Sequence, residues 1–162
     1  MVVKSRQGDP SRLDLGYVAL FLGMRVNQVV RERLQAAGYR DVRDSHGYVI
    51  QHLIEAPRSI TELAVRMQVT QQAASKVVAE MAELGILELV PAADKRAKQV
   101  RLSARGWSAV KDGRRIRRQI ERRLIRAAGP RRYETARAIL STCLEAVGGM
   151  EQVRTRRVPR PE

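Results

Sequence analysis

Cysteine, histidine and long hydrophobic runs are scarce in this 162-residue sequence, and their scarcity excludes several classes of protein. The single cysteine, Cys143, cannot form an intramolecular disulfide, and its apolar helical surroundings predict a buried structural thiol. With only His46 and His52 besides, the chain cannot supply the ligands of a zinc site. No run is long enough to span a membrane, and no apolar signal core begins the chain. We therefore predict a cytoplasmic protein with no membrane association, metal or cofactor.

The motifs of catalysis are missing as well. The sequence has no glycine-rich phosphate loop, no nucleophile elbow and no cluster of metal ligands, so we do not predict an enzyme. The 44% share of hydrophobic residues is sufficient for a real core, and the length fits one domain with additional helices.

Acidic residues are few relative to basic ones. Lys and Arg number 31 against 17 Asp and Glu, which gives a formal net charge of +14, and 26 of the cations are arginines. A genome rich in G and C would explain arginine in place of lysine, but it would not explain the excess of positive charge. Because the guanidinium fork matches phosphate oxygens and guanine edges, this composition favours nucleic-acid binding.

Two short helices separated by a tight turn are predicted in the middle of the chain. Ser59 and Glu62 have the spacing of a capping box, in which each side chain hydrogen-bonds the backbone N–H of the other residue. A second cap candidate, Thr70, follows within a few residues, and its helix should extend to Leu84 before Gly85 ends it. Two helices joined in this way form a helix-turn-helix.

The second of these helices has one apolar side and one small, polar side. At 100° per residue, Ala74, Val78 and Met81 fall together, and Gln72 and Ser75 fall opposite them. Short amide and hydroxyl side chains suit a helix that enters the major groove and reads base edges. From the two helices we predict DNA contacts by Ser59, Thr61, Thr70, Gln71, Gln72, Ser75 and Lys76.

A basic hairpin follows the second helix. Residues 86–90 and 99–102 are predicted strands, and Pro91 breaks the first of them. The segment between them carries Asp94, Lys95, Arg96 and Lys98. Three cations at a hairpin tip suit phosphates or the minor groove, and Asp94 can orient the Arg96 guanidinium by a charge-assisted hydrogen bond. We add these four residues to the predicted DNA contacts.

In these motifs the sequence resembles the MarR (multiple antibiotic resistance regulator) family of winged helix-turn-helix transcription factors. The matching positions are Leu63-Ala64, Val69, Ser75-Lys76, Gly85-Ile86-Leu87, Asp94-x-Arg96 and Leu102-Ser103-x-x-Gly106. The chain departs from the family in the strand leading to the wing, where Glu88 and Val90 stand in place of the basic residue that is common there.

The resemblance implies a mostly α fold with a small β-hairpin wing (α+β), in which long N- and C-terminal helices form a homodimer. It also implies binding to palindromic double-stranded DNA, since two recognition helices in such a dimer lie about one duplex turn apart, roughly 34 Å. Repression of transcription is the expected outcome. A sequence-tolerant nucleoid-associated or RNA-binding protein is the alternative, favoured by the arginine content.

The flanking segments fit this plan. Residues 11–37 are predicted as one helix, apolar on both sides in its first half, which indicates a partner subunit. In the helix predicted over 103–128, arginines recur every four residues, at Arg114, Arg118, Arg122 and Arg126. These arginines form either a solvated face of the helix or a binding site for an anionic partner.

We divide the chain into an N-terminal arm (1–10), a MarR-like domain (11–147) and a flexible basic tail (148–162). Within the domain, 45–102 is the DNA-binding core, and 11–37 and 103–147 are the dimerisation helices.

The resemblance also implies a crevice for small aromatic or phenolic effectors between the dimer helices and the winged domain. Candidate ligand-binding residues are Tyr17, Arg25, Tyr48, His52 and Trp107. The alternative is that these are ordinary core or surface residues, because one sequence does not show which side chains converge.

Overall fold

The computed structural model describes residues 9–91 and 98–155 as a mostly helical protein with a single two-stranded hairpin among them. A 3₁₀ turn, Pro10–Arg12, precedes the first helix. The helices are α1 Leu15–Ala36, α2 Asp44–Leu53, α3 Ile60–Met67, α4 Gln71–Glu83, α5 Ala104–Ala128, α6 Pro130–Ala146 and α7 Met150–Thr155, and the strands are β1 Leu87–Pro91 and β2 Lys98–Leu102. This order confirms the predicted winged helix-turn-helix with long flanking helices. In the described stretches, no helix has the length and apolarity needed to cross a membrane.

The first helix begins later than predicted. Residues 11–37 were expected to form one helix, but α1 starts at Leu15 because Asp14 caps it, with its Oδ1 accepting the Tyr17 N–H at 3.0 Å. Helix α1 ends before Gly38, whose φ of +96° lies in the region that favours glycine.

The helix-turn-helix forms by the local signals that predicted it. The Ser59 Oγ accepts the Glu62 N–H at 3.1 Å, and the Glu62 carboxylate accepts the Ser59 N–H at 2.7 Å. Thr70 caps α4 through the Ala73 N–H at 3.1 Å. Between the helices the chain turns at Gln68, which adopts the left-handed conformation (φ 53°, ψ 46°). After this tight turn, α4 packs against α3 with one face, and its opposite face remains exposed to solvent.

Strands β1 and β2 pair antiparallel, with Leu87 opposite Leu102 and Glu88 opposite Arg101. The last pair forms a cross-strand ion pair, with 2.7 Å between Arg101 Nε and Glu88 Oε1. Arg58 adds a short bridge to the other side of β2, exchanging two backbone hydrogen bonds with Val100. The predicted wing-tip residues Asp94, Lys95 and Arg96 lie outside the described residues.

The hydrophobic core lies where α2, α3, α4 and the first turns of α5 cover the hairpin. Its most buried side chains are Val49, Leu63, Met81, Ile86 and Val100. Helix α5 starts at the edge of this core, where Ser103 caps it through the Gly106 N–H at 3.0 Å. Gly106 itself is buried, and a Cβ at that position would lie inside the van der Waals distance of the Ile86 carbonyl oxygen.

Two predictions about the C-terminal part are corrected. Cys143 is exposed in the single chain, not buried, because α6 buries none of its residues there. The tail predicted to be flexible from residue 148 includes the helix α7, so the prediction is wrong for residues 150–155.

Candidate nucleic-acid interface

The outward face of α4 is a shallow, open surface formed by five exposed residues. They are Gln71, Gln72, Ser75, Lys76 and Ala79. The opposite face of the helix is fixed, because Ala74, Val78 and Met81 are buried in the core. Within the described residues, the side chains of Gln72, Ser75 and Lys76 make no hydrogen bond or ion pair, so their polar groups face solvent. This surface therefore presents amide, hydroxyl and ammonium groups on a rigid helix.

The other predicted contact residues fall into two groups. Ser59 and Thr70 are helix caps, and their hydroxyls already accept backbone N–H groups. Thr61 in the first turn of α3 and Lys98 at the start of β2 are exposed. Thr61 and the exposed face of α4 therefore belong to one continuous helix-turn-helix segment. Ser59 and Thr70 instead stabilise the first turns of α3 and α4.

A buried histidine connects α2 to α4, and the sequence did not reveal this contact. His46 is 1% exposed, and its Nδ1 accepts the Arg43 N–H at 3.2 Å. Its Nε2 lies 3.5 Å from Glu80 Oε1, the same oxygen that the Arg43 guanidinium reaches at 2.7 Å. Because Nδ1 is an acceptor, the proton is on Nε2 and is directed to Glu80.

The protonation state of His46 follows from this environment. Burial lowers the pKa of His46 below 6.5, Glu80 opposes that effect, and the Arg43 charge adds to it. The imidazole is therefore neutral at pH 7. A neutral His46 can donate to Glu80 while its other nitrogen caps α2, a combination that the imidazolium cannot provide. We call the three residues Arg43, His46 and Glu80 the interhelix triad.

A cavity of about 270 Å³ lies between α1, α2 and α5. Its wall combines apolar side chains with four arginines and two tyrosines, namely Arg31, Arg43, Arg114, Arg117, Tyr39 and Tyr48. Aromatic and aliphatic walls with a few polar groups are typical of small-molecule sites, and four cations favour an anion. Tyr39 is fixed in this wall by its hydroxyl, 3.2 Å from Asp112 Oδ2, and by the Arg105 guanidinium 5.1 Å above its ring.

Of the five residues predicted to bind a ligand, the structure places only Tyr48 at this cavity. The lining residues of α1 begin at Asn27, so Tyr17 lies about 15 Å away along the helix. Arg25 forms an exposed ion pair with Glu32, 3.1 Å from nitrogen to oxygen. Tyr17, Arg25, His52 and Trp107 do not line this cavity, and their predicted role in ligand binding stays a prediction.

The single chain exposes a broad apolar surface on its first and sixth helices. In α1 the large side chains of Tyr17, Leu20, Phe21 and Met24 are between 52% and 58% exposed. Ile139, Leu144 and Val147, on or just after α6, are exposed as well. Exposed apolar patches of this kind mark protein interfaces, so these two helices are candidates for contact with another subunit.

Comparison with known proteins agrees with this architecture. Residues 40–97 match the sequence pattern of the MarR family. No protein of curated function matches the sequence. The fold is similar to that of MepR, a transcription regulator of the Staphylococcus aureus multidrug efflux pump MepA (TM-score 0.68, 17% identity, covering 83% of this chain and 99% of MepR).

Two further solved structures share the fold. YusO from Bacillus subtilis aligns with a TM-score of 0.67 at 16% identity and covers 82% of this chain and 94% of its own. A MepR mutant from S. aureus, bound to an oligodeoxyribonucleotide, aligns with a TM-score of 0.62 at 16% identity, covering 83% of this chain and 99% of its own.

Proposed function

We propose, from the premise that residues 40–97 of this chain are a MarR-family winged helix-turn-helix, that the protein is a dimeric, sequence-specific DNA-binding transcriptional regulator. The observation that carries this proposal is the exposed polar face of α4, which stands on a helix whose other side is buried in the core. A helix held in this way can enter a major groove without losing its packing. The similar fold of MepR, one mutant of which was solved with an oligodeoxyribonucleotide, supports the same function.

Each part of the chain has a role in this proposal. Residues 45–102 form the DNA-binding core, and 11–37 with 103–147 form the dimerisation helices, since the exposed apolar surface of the single chain lies on α1 and α6. A two-fold dimer presents two recognition helices, so the operator is palindromic. Repression of transcription is what the resemblance to the MarR family implies for its occupation. We place the protein in the cytoplasm, where the DNA is.

The decisive experiment is footprinting of the purified protein on the DNA that flanks its own gene. The protected segment is then compared with a scrambled duplex of the same composition over a series of salt concentrations. As the salt concentration rises, a sequence-specific regulator still binds the protected duplex much more tightly than the scrambled one. A purely electrostatic binder instead loses affinity for both duplexes to the same extent.

The first prediction concerns base reading by α4. Gln72→Ala should weaken binding to the protected duplex by about 1–3 kcal/mol and leave binding to the scrambled duplex nearly unchanged, because a glutamine amide discriminates between bases. Fluorescence anisotropy with both duplexes measures this. Gln35→Ala, an exposed glutamine on α1, is the matched control and should behave as wild type. Equal losses on both duplexes would exclude Gln72 from the reading face.

The second prediction concerns the wing, whose tip lies outside the described residues. Arg96→Ala should lower affinity for both duplexes by similar factors and reduce the salt slope by about one unit, because a phosphate or minor-groove contact neutralises one charge. Arg137→Ala is the matched control, because its guanidinium is paired with Glu134 on α6 at 2.8 Å. A salt slope that stays at the wild-type value in the Arg96 variant would show that the wing does not contact DNA.

The cavity between α1, α2 and α5 is the proposed site of a small aromatic or phenolic effector. It is bordered by both the flanking helices and the winged helix-turn-helix, so a ligand there can change their relative position. Tyr48 and Tyr39 supply aromatic walls, and the four arginines supply positive charge.

A sequence-tolerant nucleic-acid binder is the second candidate function, and the arginine face of α5 favours it. Arg114, Arg118, Arg122 and Arg126 are exposed, and none of them forms an ion pair with the residues that the structure describes. Like charges at this spacing repel by about 0.2–0.5 kcal/mol per pair, which an anionic partner would relieve. The salt series separates the two functions, since a sequence-tolerant binder shows no preference for the protected duplex.

A further inference from the structure

Half of the net positive charge of this chain lies on one helix. The 25 residues of α5 carry nine Lys and Arg against two Asp and Glu, so α5 contributes +7 to the formal net charge of +14. The helix-turn-helix over 60–83 carries two basic and three acidic residues, a net charge of −1. The electrostatic attraction for a polyanion is therefore concentrated on α5 and not on the two helices that are proposed to contact bases.

Four arginines of α5 form a continuous exposed row along the helix. We call them the arginine row, and they are Arg114, Arg118, Arg122 and Arg126. Ile116, Ile120 and Leu124 lie on the opposite side of α5 and are buried or half-buried. The ends of the row are 12 residues apart, which corresponds to about 18 Å along the helix axis. The row is thus presented to solvent over more than three turns of a helix whose other side is packed.

The arginine row differs from the neighbouring arginines because it lacks partners. Arg115 is paired with Asp112 at 2.8 Å, and the Arg117 guanidinium donates to Asn27 Oδ1 at 3.0 Å. Within 9–91 and 98–155, no member of the row forms an ion pair or a side-chain hydrogen bond. Four like charges at this spacing repel one another, and a polyanion bound along the row would remove that repulsion.

The arginine row is separate from the exposed face of α4. No residue of α5 lines that face. Helix α5 packs on the winged core at its first turn, where Gly106 approaches the Ile86 backbone, and Arg126 lies about 30 Å further along the helix axis. The two surfaces share no residue, so a duplex bound to one of them does not use the polar groups of the other.

The chemistry of the row favours the phosphates of a duplex. Guanidinium groups bind phosphate oxygens with two parallel hydrogen bonds. No aromatic residue occurs between Arg114 and Arg126, so the row cannot stack the exposed bases of a single strand. A row about 18 Å long spans about five phosphates of one strand, which are about 3.4 Å apart along the duplex axis. A second copy of the chain has the same net charge of +14 and would be repelled.

We propose that the arginine row is a second DNA-binding surface, which holds double-stranded DNA of any sequence by its phosphates while α4 occupies the operator. The proposed dimer would then connect two segments of duplex. The choice of DNA among polyanions rests on the function proposed above, because that function already brings the protein to DNA. The second surface and its role go beyond that function.

The test is a two-duplex capture with the full-length chain. The footprinted duplex is cut to the protected segment, immobilised, saturated with protein and washed. A labelled scrambled duplex is then added over a series of salt concentrations. Wild type should retain the scrambled duplex, and the retention should fall steeply with salt because it depends on phosphate contacts.

The double variant Arg118→Gln, Arg122→Gln should lose the second duplex but keep the first. Retention of the scrambled duplex should fall by about tenfold or more and its salt slope by about two units, one for each phosphate contact removed. Affinity for the protected segment should stay within about twofold of wild type. The variant should melt at or above the wild-type temperature, because two like charges have been removed from the row. Lost capture with unchanged melting cannot result from unfolding.

The double variant Arg25→Gln, Arg137→Gln is the matched control. It lowers the net charge by the same amount, but its two exposed arginines are already paired with Glu32 and Glu134, at 3.1 and 2.8 Å. It should retain the scrambled duplex as wild type does. An equal loss in both double variants would show that capture follows net charge and not the arginine row.

Three other outcomes would also overturn the proposal. The first is that wild type retains no scrambled duplex. The second is a change of mass in sedimentation equilibrium for Arg118→Gln, Arg122→Gln, which would assign the row to contact between copies of the chain. The third is that polyglutamate competes more strongly than duplex DNA of equal charge, which would assign the row to an acidic protein segment.

Failure of this proposal is distinguishable from failure of the proposed function. If footprinting finds no specific duplex, the sequence-specific function fails. The salt slopes of the two double variants on the scrambled duplex alone then still decide whether the arginine row binds DNA. If a specific duplex is found but no second duplex is captured, the regulator function stands and the second surface does not.

Discussion

Phe21→Asp should convert the proposed dimer into a monomer. It should also lower affinity for the palindromic duplex by about 100-fold or more, because in a dimer the binding of one recognition helix holds the second one at a high effective concentration near its half-site. Phe21 is 54% exposed in the single chain and stacks on Tyr17, with 6.4 Å between ring centroids. A carboxylate placed in the centre of an apolar interface must be desolvated without a partner, which opposes association strongly. Sedimentation equilibrium measures the mass, and anisotropy measures DNA affinity.

Val65→Asp is the control for the sedimentation measurement. Val65 is an apolar residue that is 70% exposed, more than Phe21, but it lies on α3 and not on α1 or α6. This variant should remain a dimer. A wild-type chain that sediments as a folded monomer at micromolar concentration would contradict the proposed assembly, and so would a Phe21→Asp variant that stays dimeric.

Gly106→Ala should lower the free energy of unfolding by about 3 kcal/mol, the cost of forcing a methyl group into a filled site. The added Cβ would meet the Ile86 carbonyl oxygen, a backbone atom that cannot rotate away and that also accepts the Ser103 N–H. To relieve the contact, the first turn of α5 would have to separate from Ile86, the residue just before β1. Chemical denaturation at a fixed protein concentration measures the change, because dimer stability depends on concentration.

Gly113→Ala provides a matched control within the same helix. A Cβ at Gly113 meets nothing within 4 Å, so alanine should raise the free energy of unfolding by about 0.5–1 kcal/mol through helix propensity alone. If Gly106→Ala proved as stable as wild type, the close approach of α5 to the Ile86 backbone would not be a rigid constraint on the fold.

The features that sequence predicted well are those whose physics is local. The Ser59–Glu62 capping box and the Thr70 cap depend on residues three positions apart, and their hydrogen bonds form as expected. The two faces of α4 follow from helical periodicity, so the exposed polar side and the buried apolar side were both foreseeable. The wing strands were foreseeable from their apolar runs, but the prediction that Pro91 breaks the first strand is wrong, because Pro91 is the last residue of β1 and lies opposite Lys98.

The features that sequence could not predict depend on contacts between distant segments. His46 and Glu80 are 34 positions apart, and nothing in their spacing indicates that a buried imidazole would meet a carboxylate on another helix. The same holds for Gln68, where a left-handed turn occurs without glycine or asparagine. Tyr17 and Arg25 were grouped with Tyr48 because all three are residue types common in ligand sites, but the position of Tyr17 on α1, ten residues before the first lining residue Asn27, keeps it away from the cavity.

The backbone bridge between Arg58 and Val100 has a mechanical consequence. Its two hydrogen bonds, at 3.0 and 2.8 Å, attach strand β2 to the segment just after α2, and the Arg58 Nε also donates to the His52 carbonyl at 2.9 Å. These hydrogen bonds connect the hairpin to the C-terminal end of α2. Under the proposed function, α2 and the wing would therefore move as one unit, so that a displacement of α2 relative to DNA would also displace the wing.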